Sequence, residues 1–189
     1  MYFTLRVYGI LINKAKQVLV SDEYIRGNYF TKFPGGGLEV GEGTIDCLIR
    51  EFKEEMNLEV EVGDHIYTTD FYQQSAFNAE HQIIAIYYFV KALETITVPL
   101  RNKPFDFDEA QLKIYNEVQQ IETVRFIDWD DFSADTVTLP IDKIVATMIQ
   151  TQKWKVKTQK CENVLQSMMY KNSGMEQTMP LFLYEKEDH

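Results

Sequence analysis

Residues 35–58 of the chain read GGGLEVGEGTIDCLIREFKEEMNL, a glycine-rich segment that runs into an amphipathic one. Pro34 and the three glycines after it predict a long loop, because neither residue type favours regular structure. Thr44 is a typical N-cap, and the apolar residues that follow recur at helical spacing, which predicts a helix from Ile45 to Met56. Asn57 tolerates the left-handed conformation of a C-terminal cap, so the helix is expected to end there. The apolar stripe expected to pack on a sheet consists of Ile45, Leu48, Ile49, Phe52 and Met56.

The opposite face of this helix carries three acidic residues, Glu51, Glu54 and Glu55, beside Arg50. Acids three and four positions apart on a helix repel one another by roughly a few tenths of a kcal/mol per pair. A divalent cation would turn that repulsion into attraction, and Mg²⁺ or Mn²⁺ prefers carboxylate oxygens. The alternative is a solvated helix face, which is what charged runs usually are. The loop amides expected to bind substrate phosphate belong to Gly35, Gly36 and Gly37.

The spacing of six residues in this stretch resembles the Nudix box, the signature of the Nudix hydrolase family. One position departs from it, because Asn57 stands where the family has glycine, and Asn adopts the same backbone conformation. The resemblance implies an α/β fold, a Nudix-like α/β/α sandwich with a mixed β-sheet, over residues 1–153. The matching residues are Gly36, Glu42, Arg50, Glu51, Glu54 and Glu55.

The same resemblance implies an enzyme with Mg²⁺, or Mn²⁺, as its cofactor. Its reaction is cleavage of a nucleoside diphosphate linked to another moiety, such as an ADP-ribose-type sugar nucleotide or a (d)NTP, by attack of water on phosphorus. The implied metal ligands are Glu51, Glu54 and Glu55. Glu51, Glu54 and Arg50 are the implied catalytic residues, and Glu42 supports the site. Family members differ over which glutamate deprotonates the water, and the candidates outside the box are Glu80, Glu117 and Glu122.

Two other functions are weaker hypotheses. A nucleotide sensor that binds without cleaving is disfavoured, because loss of catalysis usually leaves one of the box glutamates or Arg50 replaced. A regulator with a nucleic-acid module is disfavoured by charge. Nineteen Lys and Arg against 29 Asp and Glu give a net charge of −10, the wrong sign for gripping a nucleic-acid backbone. The expected partner is therefore a small-molecule nucleotide, with no nucleic acid.

Residues outside the box give weaker indications about the substrate. Many ADP-ribose enzymes of the family carry a proline beyond the box, and Gln73 and Gln74 stand there instead, which slightly disfavours ADP-ribose. His81 could touch substrate, although a structural histidine is the commoner case. Aromatic side chains usually fill the core, and four that could instead stack on a base are Tyr8, Phe33, Tyr72 and Phe77.

The rest of the chain alternates strand-like segments with polar connections. Residues 99–120 are polar and indicate an inserted loop with a turn of helix. A second amphipathic helix is predicted after Pro140. The predicted strands are Tyr2–Ile12, Gln17–Val20, Tyr29–Phe33, Leu58–Val62, Tyr67–Gln74, Ile83–Val90 and Val124–Ile127.

Composition and cysteine usage indicate a globular protein of a reducing compartment. Hydrophobic residues make up 45% and charged residues 25%, the balance of ordinary soluble proteins. Cys47 and Cys161 lie far apart, so neither a disulfide framework nor a zinc site is indicated, and a cytoplasmic location is expected. The apolar run Ile83–Val90 is shorter than the roughly 20 residues of a membrane span, so no membrane partner and no signal peptide are expected.

The last part of the chain, residues 154–189, is predicted to be a C-terminal extension of the domain. Its apolar side chains are too many to leave in water, which predicts docking on the domain or on the second subunit of a homodimer. They are Val164, Leu165, Met168, Met169, Leu181, Phe182 and Leu183.

Overall fold

The computed structural model describes residues 2–76 and 78–151. Within those residues the helices are α1 (Thr44–Met56), α2 (Glu109–Val118) and α3 (Pro140–Gln150), with a 3₁₀ turn at Ala134–Thr136. The strands of the same residues are β1 (Tyr2–Leu11), β2 (Gln17–Ile25), β3 (Asn28–Lys32), β4 (Gly35–Gly37), β5 (Val60–Thr68), β6 (His81–Ala92) and β7 (Gln120–Asp128).

These strands form two sheets. The first has the order β4-β1-β6-β5, and it is mixed because β1 and β6 run parallel while the outer pairs are antiparallel. The second has the order β3-β2-β7 and is antiparallel throughout. The predicted α/β fold with a mixed sheet is therefore confirmed, and the β1 and β2 segments belong to different sheets.

The two faces of the mixed sheet meet different partners. Val7 and Leu11 of β1 belong to the hydrophobic core that α1 completes. On the opposite face, the Tyr87 hydroxyl of β6 donates a 2.6 Å hydrogen bond to the Asp142 carboxylate at the start of α3. Alternation of side chains along each strand thus presents one face to α1 and the other to α3.

Helix α1 buries most of its predicted stripe. Leu48, Phe52 and Met56 are fully buried in the core between α1 and the mixed sheet. The prediction for Ile45 is wrong, since 48% of its surface is exposed. The buried stripe is rotated towards Cys47, because β4 approaches the helix on that side. Cys47 is fully buried, and its thiol donates to the Gly37 carbonyl.

The ends of α1 differ in how well the sequence predicted them. Asn57 has the expected left-handed conformation, with φ 48° and ψ 40°, which confirms it as the C-terminal cap. The prediction of Thr44 as N-cap is wrong, because the cap is Gly43 and Thr44 is the first helical residue. The Thr44 hydroxyl hydrogen-bonds instead to the Tyr88 hydroxyl, 2.8 Å away.

The glycine-rich segment is a strand and not the predicted loop. Strand β4 pairs antiparallel with β1, and the carbonyl of Pro34 extends the ladder by accepting from the Gly9 N–H at 2.8 Å. Pro34 takes part as an acceptor only, the role proline can fill beside a sheet. Gly35 has φ +133°, and a Cβ there would collide with the Val7 carbonyl oxygen. Glycine is therefore required for the close approach of the two strands.

Two further segments differ from the prediction. The strand predicted at Tyr67–Gln74 is wrong, because β5 ends at Thr68. The insertion at residues 99–120 contains the ten-residue helix α2, considerably more than one turn. It is held on β2 by stacking of Tyr115 on Tyr24, with ring centroids 4.0 Å apart. Contacts between residues so distant in sequence leave no local signal.

The first compact unit of the chain is Met1–Gln150. The predicted boundary at residue 153 and the extension over residues 154–189, with its docking on the domain or on a dimer partner, lie outside the described residues. In the part of the chain that the structure describes, no helix is long and apolar enough to cross a membrane.

Replacing Phe52 with alanine tests the packing of α1. Its ring is fully buried, so the Phe52→Ala variant should lose about 3 to 5 kcal/mol of unfolding free energy through the cavity left behind. The matched control is Ile45→Ala on the exposed side of the same helix, which should lose less than about 1 kcal/mol. Urea denaturation measures both, and equal losses in the two variants would contradict the packing described here.

Candidate active site

One guanidinium connects the loop after β4 to helix α1. Arg50 donates two hydrogen bonds to the Glu42 carboxylate, at 2.8 and 3.0 Å, and one of 3.0 Å to the Gly37 carbonyl. Its third nitrogen donates to Glu51 and to Glu54, both at 3.0 Å. All five N–H directions of an arginine can be used in this planar fork. Four of the six residues of the box motif are therefore bound together by a single side chain.

Glu42 is held in place from both sides. Its carboxylate also accepts the backbone N–H of Glu39 at 2.8 Å. The hydrogen bonds from Arg50, followed by that from Glu39, lower the pKa of Glu42 to about 2, so Glu42 remains ionised at any physiological pH. The same contacts raise the pKa of Arg50. The predicted supporting role of Glu42 has a direct geometric counterpart in these bonds.

Gly36 provides room for Glu51. A Cβ at this position would collide with the Glu51 carboxylate, whose side chain is 12% exposed. A larger residue here would therefore have to displace the Glu51 carboxylate from its present position. The backbone of Gly35, Gly36 and Gly37 is engaged in the ladder with β1. Their binding of substrate phosphate remains a prediction.

Glu54 and Glu55 lie in contrasting environments. The Glu54 side chain is 60% exposed, whereas Glu55 is half-buried. Burial, opposed by Lys32 and reinforced by the neighbouring carboxylates of Glu122 and Glu51, raises the pKa of Glu55 to about 8. The positive charge of Lys32 thus does not offset burial and the neighbouring acids, and a bound cation would stabilise the ionised form of Glu55.

The structure separates the three glutamates outside the box. Glu122, on β7, accepts a 3.2 Å hydrogen bond from the Ser21 hydroxyl, and burial raises its pKa, opposed by Lys32 and reinforced by Glu23. It acts electrostatically on Glu55, so the two are neighbours. Glu80 lies exposed in the turn before β6, and Glu117 is exposed on α2. The sequence contained no feature that distinguished Glu122 from the other two.

The carboxylates suit a hard divalent cation. Arg50 uses one oxygen each of Glu51 and Glu54, which leaves the second oxygen of each for another partner. Together with Glu55 they form an all-oxygen donor set of the kind that Mg²⁺ prefers. Among residues 2–76 and 78–151, no three His, Cys, Asp or Glu side chains already stand in a ready-made metal-binding group. The carboxylate side chains of α1 would have to rotate towards one another to complete the site.

A cavity of about 390 Å³ has Glu23, Arg6 and Lys32 among its lining residues. The charges of Arg6 and Lys32 interact with Glu51 and Glu55 respectively. These two basic side chains therefore link the cavity to the carboxylates of the box. Side chains with an aromatic, aliphatic or amide surface that face it are Tyr8, Phe30, Ile83, Tyr87, Gln73 and Gln74.

The cavity includes some of the residues that the sequence had raised for substrate contact. His81 lines it and hydrogen-bonds to the Thr4 hydroxyl at 2.8 Å, so it has the structural role as well. Tyr8 also lines it, whereas Phe33 is fully buried and Tyr72 is exposed. Phe77 lies outside the described residues.

Comparison with known proteins supports the same interpretation. A family model described as the NUDIX domain matches residues 3–147. The E. coli ORF135 protein superposes with a TM-score of 0.58 and 14% identity, covering 82% of this chain and 94% of its own. A NUDIX hydrolase from Nitrosomonas europaea gives a TM-score of 0.57 at 15% identity, over 79% and 90%. A MutT NUDIX hydrolase from Burkholderia pseudomallei gives 0.54 at 14%, over 78% and 98%. No curated protein matches the sequence significantly.

The space beside Glu51 can be tested by adding one methyl group. In Gly36→Ala the new Cβ must displace the Glu51 carboxylate, so divalent-cation affinity and hydrolytic rate should each fall at least roughly tenfold, the effect of about 1.4 kcal/mol. The control is Gly63→Ala on β5, where the nearest atom to a Cβ is the Phe89 carbonyl oxygen at 3.5 Å, and both quantities should stay unchanged. Equal behaviour of the two variants in calorimetry and rate assays would contradict the role of Gly36.

Proposed function

Because the chain belongs to the Nudix hydrolase family, we propose that it is a divalent-cation-dependent pyrophosphohydrolase. Its substrate is a nucleoside diphosphate linked to another moiety, either an ADP-ribose-type sugar nucleotide or a (d)NTP. Water attacks phosphorus and breaks the anhydride. The observation that carries this proposal is the Arg50 network, which binds Glu42, Glu51 and Glu54 around one side chain.

The residues of the site have different roles in this proposal. Glu51, Glu54 and Glu55 hold the cation, preferably Mg²⁺, while Arg50 and Glu42 fix the direction of the carboxylates. The cation supplies neutralisation of the diphosphate charge and acidifies a water molecule. A protein with net charge −10 needs that neutralisation to hold a polyanion. The three glycines of β4 are proposed to bind substrate phosphate through their backbone.

Glu122 is the proposed proton acceptor from outside the box. It lies beside Glu55, while Glu80 and Glu117 are exposed elsewhere. Burial raises the pKa of Glu122 and of Glu55. A carboxylate whose pKa is raised towards the working pH is a better general base than one at its ordinary value.

The cavity beside the carboxylates is proposed to take the organic part of the substrate. Its volume of about 390 Å³ lies within the range of natural small-molecule pockets. Tyr8 and Phe30 offer aromatic faces, and Gln73 and Gln74 offer amide groups that both donate and accept hydrogen bonds. Flat apolar walls with a few amides suit a heterocyclic base attached to a sugar.

Removing one ligand charge tests the proposed cation site. Glu54→Gln keeps size and helix propensity, so hydrolysis should fall by about two or more orders of magnitude and Mg²⁺ affinity should drop. Stability should change by less than about 1 kcal/mol, because the ion pair with Arg50 is largely exposed. Calorimetric titration measures the Mg²⁺ affinity, and hydrolysis of ADP-ribose, dNTPs and dinucleoside polyphosphates measures the rate.

The control for this charge change is Glu61→Gln, an exposed acid on β5 paired with Lys91, which should behave like the wild type. Equal Mg²⁺ binding by Glu54→Gln and wild type would overturn the ligand assignment. A wild-type protein that binds nucleotides and Mg²⁺ without turnover would support a sensor instead. Hydrolysis in H₂¹⁸O should place ¹⁸O in a phosphate product, and its appearance elsewhere would exclude attack at phosphorus.

Narrowing the cavity tests where the organic group lies. Ile83 faces the cavity, and Ile84, its neighbour on β6, points to the opposite face. Ile83→Trp should raise KM for nucleotide substrates at least roughly tenfold with a smaller effect on kcat, because it removes binding without touching the carboxylates. Ile84→Trp should leave KM close to the wild-type value. A larger rise of KM in Ile84→Trp would place the organic group elsewhere.

A further inference from the structure

The antiparallel sheet turns four polar side chains towards the acidic site. In the register of β2 with β7, Glu23 stands directly opposite Glu122. In the register of β2 with β3, Lys32 stands opposite Ser21. Ser21 and Glu23 are two residues apart and so share a face, and the hydrogen bond from Ser21 to Glu122 joins the outer strand to the same face.

Like charges directly opposite on neighbouring strands are destabilising. The pair Glu23 and Glu122 has this arrangement, and it lies near Glu55 and Glu51 of the box. Four carboxylates therefore converge from the antiparallel sheet and from α1. Such a set is costly unless positive charge stands among them.

Lys32 supplies positive charge inside this set. Its side chain is 3% exposed, and its ammonium lies 3.0 Å from the Glu23 carboxylate, which is 10% exposed. It also donates a 2.9 Å hydrogen bond to the Gly35 carbonyl and lies 5.7 Å from the centre of the Tyr8 ring. Burial alone would lower the pKa of Lys32, but Glu23, Glu55 and other neighbours raise it above its ordinary value.

The neighbouring arginines are engaged in other bonds. Arg50 donates to Glu42, Glu51, Glu54 and the Gly37 carbonyl. The Nε of Arg6 donates to the Tyr8 hydroxyl. Among the described residues neither arginine forms an ion pair with Glu23, Glu55 or Glu122, whereas the charge of Lys32 acts on all three.

We propose that Lys32 is the built-in counter-ion of the carboxylate site and a positioning residue for it. Its ammonium holds Glu23 and, through the Gly35 carbonyl, the strand β4 on which the box begins. Because its positive charge acts on Glu55, one of the proposed ligands, it repels a divalent cation bound there and limits how tightly that cation binds. This inference rests on the proposed function in one respect, namely that the box carboxylates bind the cation.

The two halves of the buried ion pair should act in opposite directions on Mg²⁺ affinity. Lys32→Met removes the competing positive charge, so the Kd for Mg²⁺ at pH 8 should fall roughly threefold to tenfold. Glu23→Gln removes a nearby negative charge and leaves Lys32 facing the remaining carboxylates, so the Kd should rise by a similar factor. The double variant should return close to the wild-type Kd. Damage to the structure alone would weaken Mg²⁺ binding in both single variants.

The control for the loss of a lysine is Lys143→Met on α3. The ammonium of Lys143 is partly exposed and lies 3.8 Å from Asp135. The Kd of this variant for Mg²⁺ should equal that of the wild type. Thermal unfolding gives a second measure. Mg²⁺ should raise the Tm of Lys32→Met more than that of the wild type, because the cation replaces the missing charge.

The outcomes separate this inference from the function it rests on. A wild-type protein that binds no Mg²⁺ at its carboxylates would overturn the proposed function. Wild-type Mg²⁺ binding together with an unchanged or weaker affinity in Lys32→Met would overturn the role of Lys32 alone. If Lys32→Met does not fold even with Mg²⁺, Glu23→Gln still decides, since an unchanged or tighter affinity in that variant contradicts the inference.

Discussion

The arrangement of the site depends on the guanidinium of Arg50. It joins Glu42 in the loop, the Gly37 carbonyl at the end of β4 and two carboxylates of its own helix. The loop, the strand and the helix have different backbone hydrogen bonds but are adjacent in sequence. One side chain can therefore bind all three. Charge-assisted bonds of this kind are stronger and more directional than neutral ones. The spacing of Glu42, Glu51 and Glu54 relative to Arg50 is thus the spacing at which one arginine reaches all three carboxylates.

Charge balance is the second constraint on the site. Arg50 compensates the outer carboxylates, while Lys32 stands among the buried ones. The two cations also fix the backbone, since Lys32 binds the Gly35 carbonyl and Arg50 the Gly37 carbonyl. Between these two anchors lies Gly36, the position at which a side chain would displace Glu51. The same contacts therefore fix β4 on both sides of the position that leaves room for the Glu51 carboxylate.

The sequence predicted the parts of the fold that local chemistry determines. The helix α1, its Asn57 cap and the burial of Phe52 follow from spacing and from the conformations each residue tolerates. The wrong predictions share a different origin. Thr44 is not the N-cap, because its hydroxyl bonds to Tyr88 of β6 instead. Residues 35–37 form a strand because they pair with β1. Those partners are distant in sequence, so propensity could not anticipate them.

The candidate site likewise combines residues that local sequence predicts with residues that only distant contacts bring together. The box residues could be named from their spacing, whereas Lys32 and Glu23 could not and Glu122 was one of three equal candidates, because strand register alone brings them to one face. Residues that the sequence had raised in connection with the substrate line the cavity, namely Tyr8, Gln73, Gln74 and His81.

The most direct test of this account is the position of a bound cation in a crystal soaked with Mn²⁺ and measured by anomalous diffraction. The account predicts an anomalous peak bonded to carboxylate oxygens of Glu51, Glu54 and Glu55, with Arg50 still bound to Glu42. Peaks confined to acids outside the box, or a Mn²⁺ site that displaces Arg50 from Glu42, would contradict it.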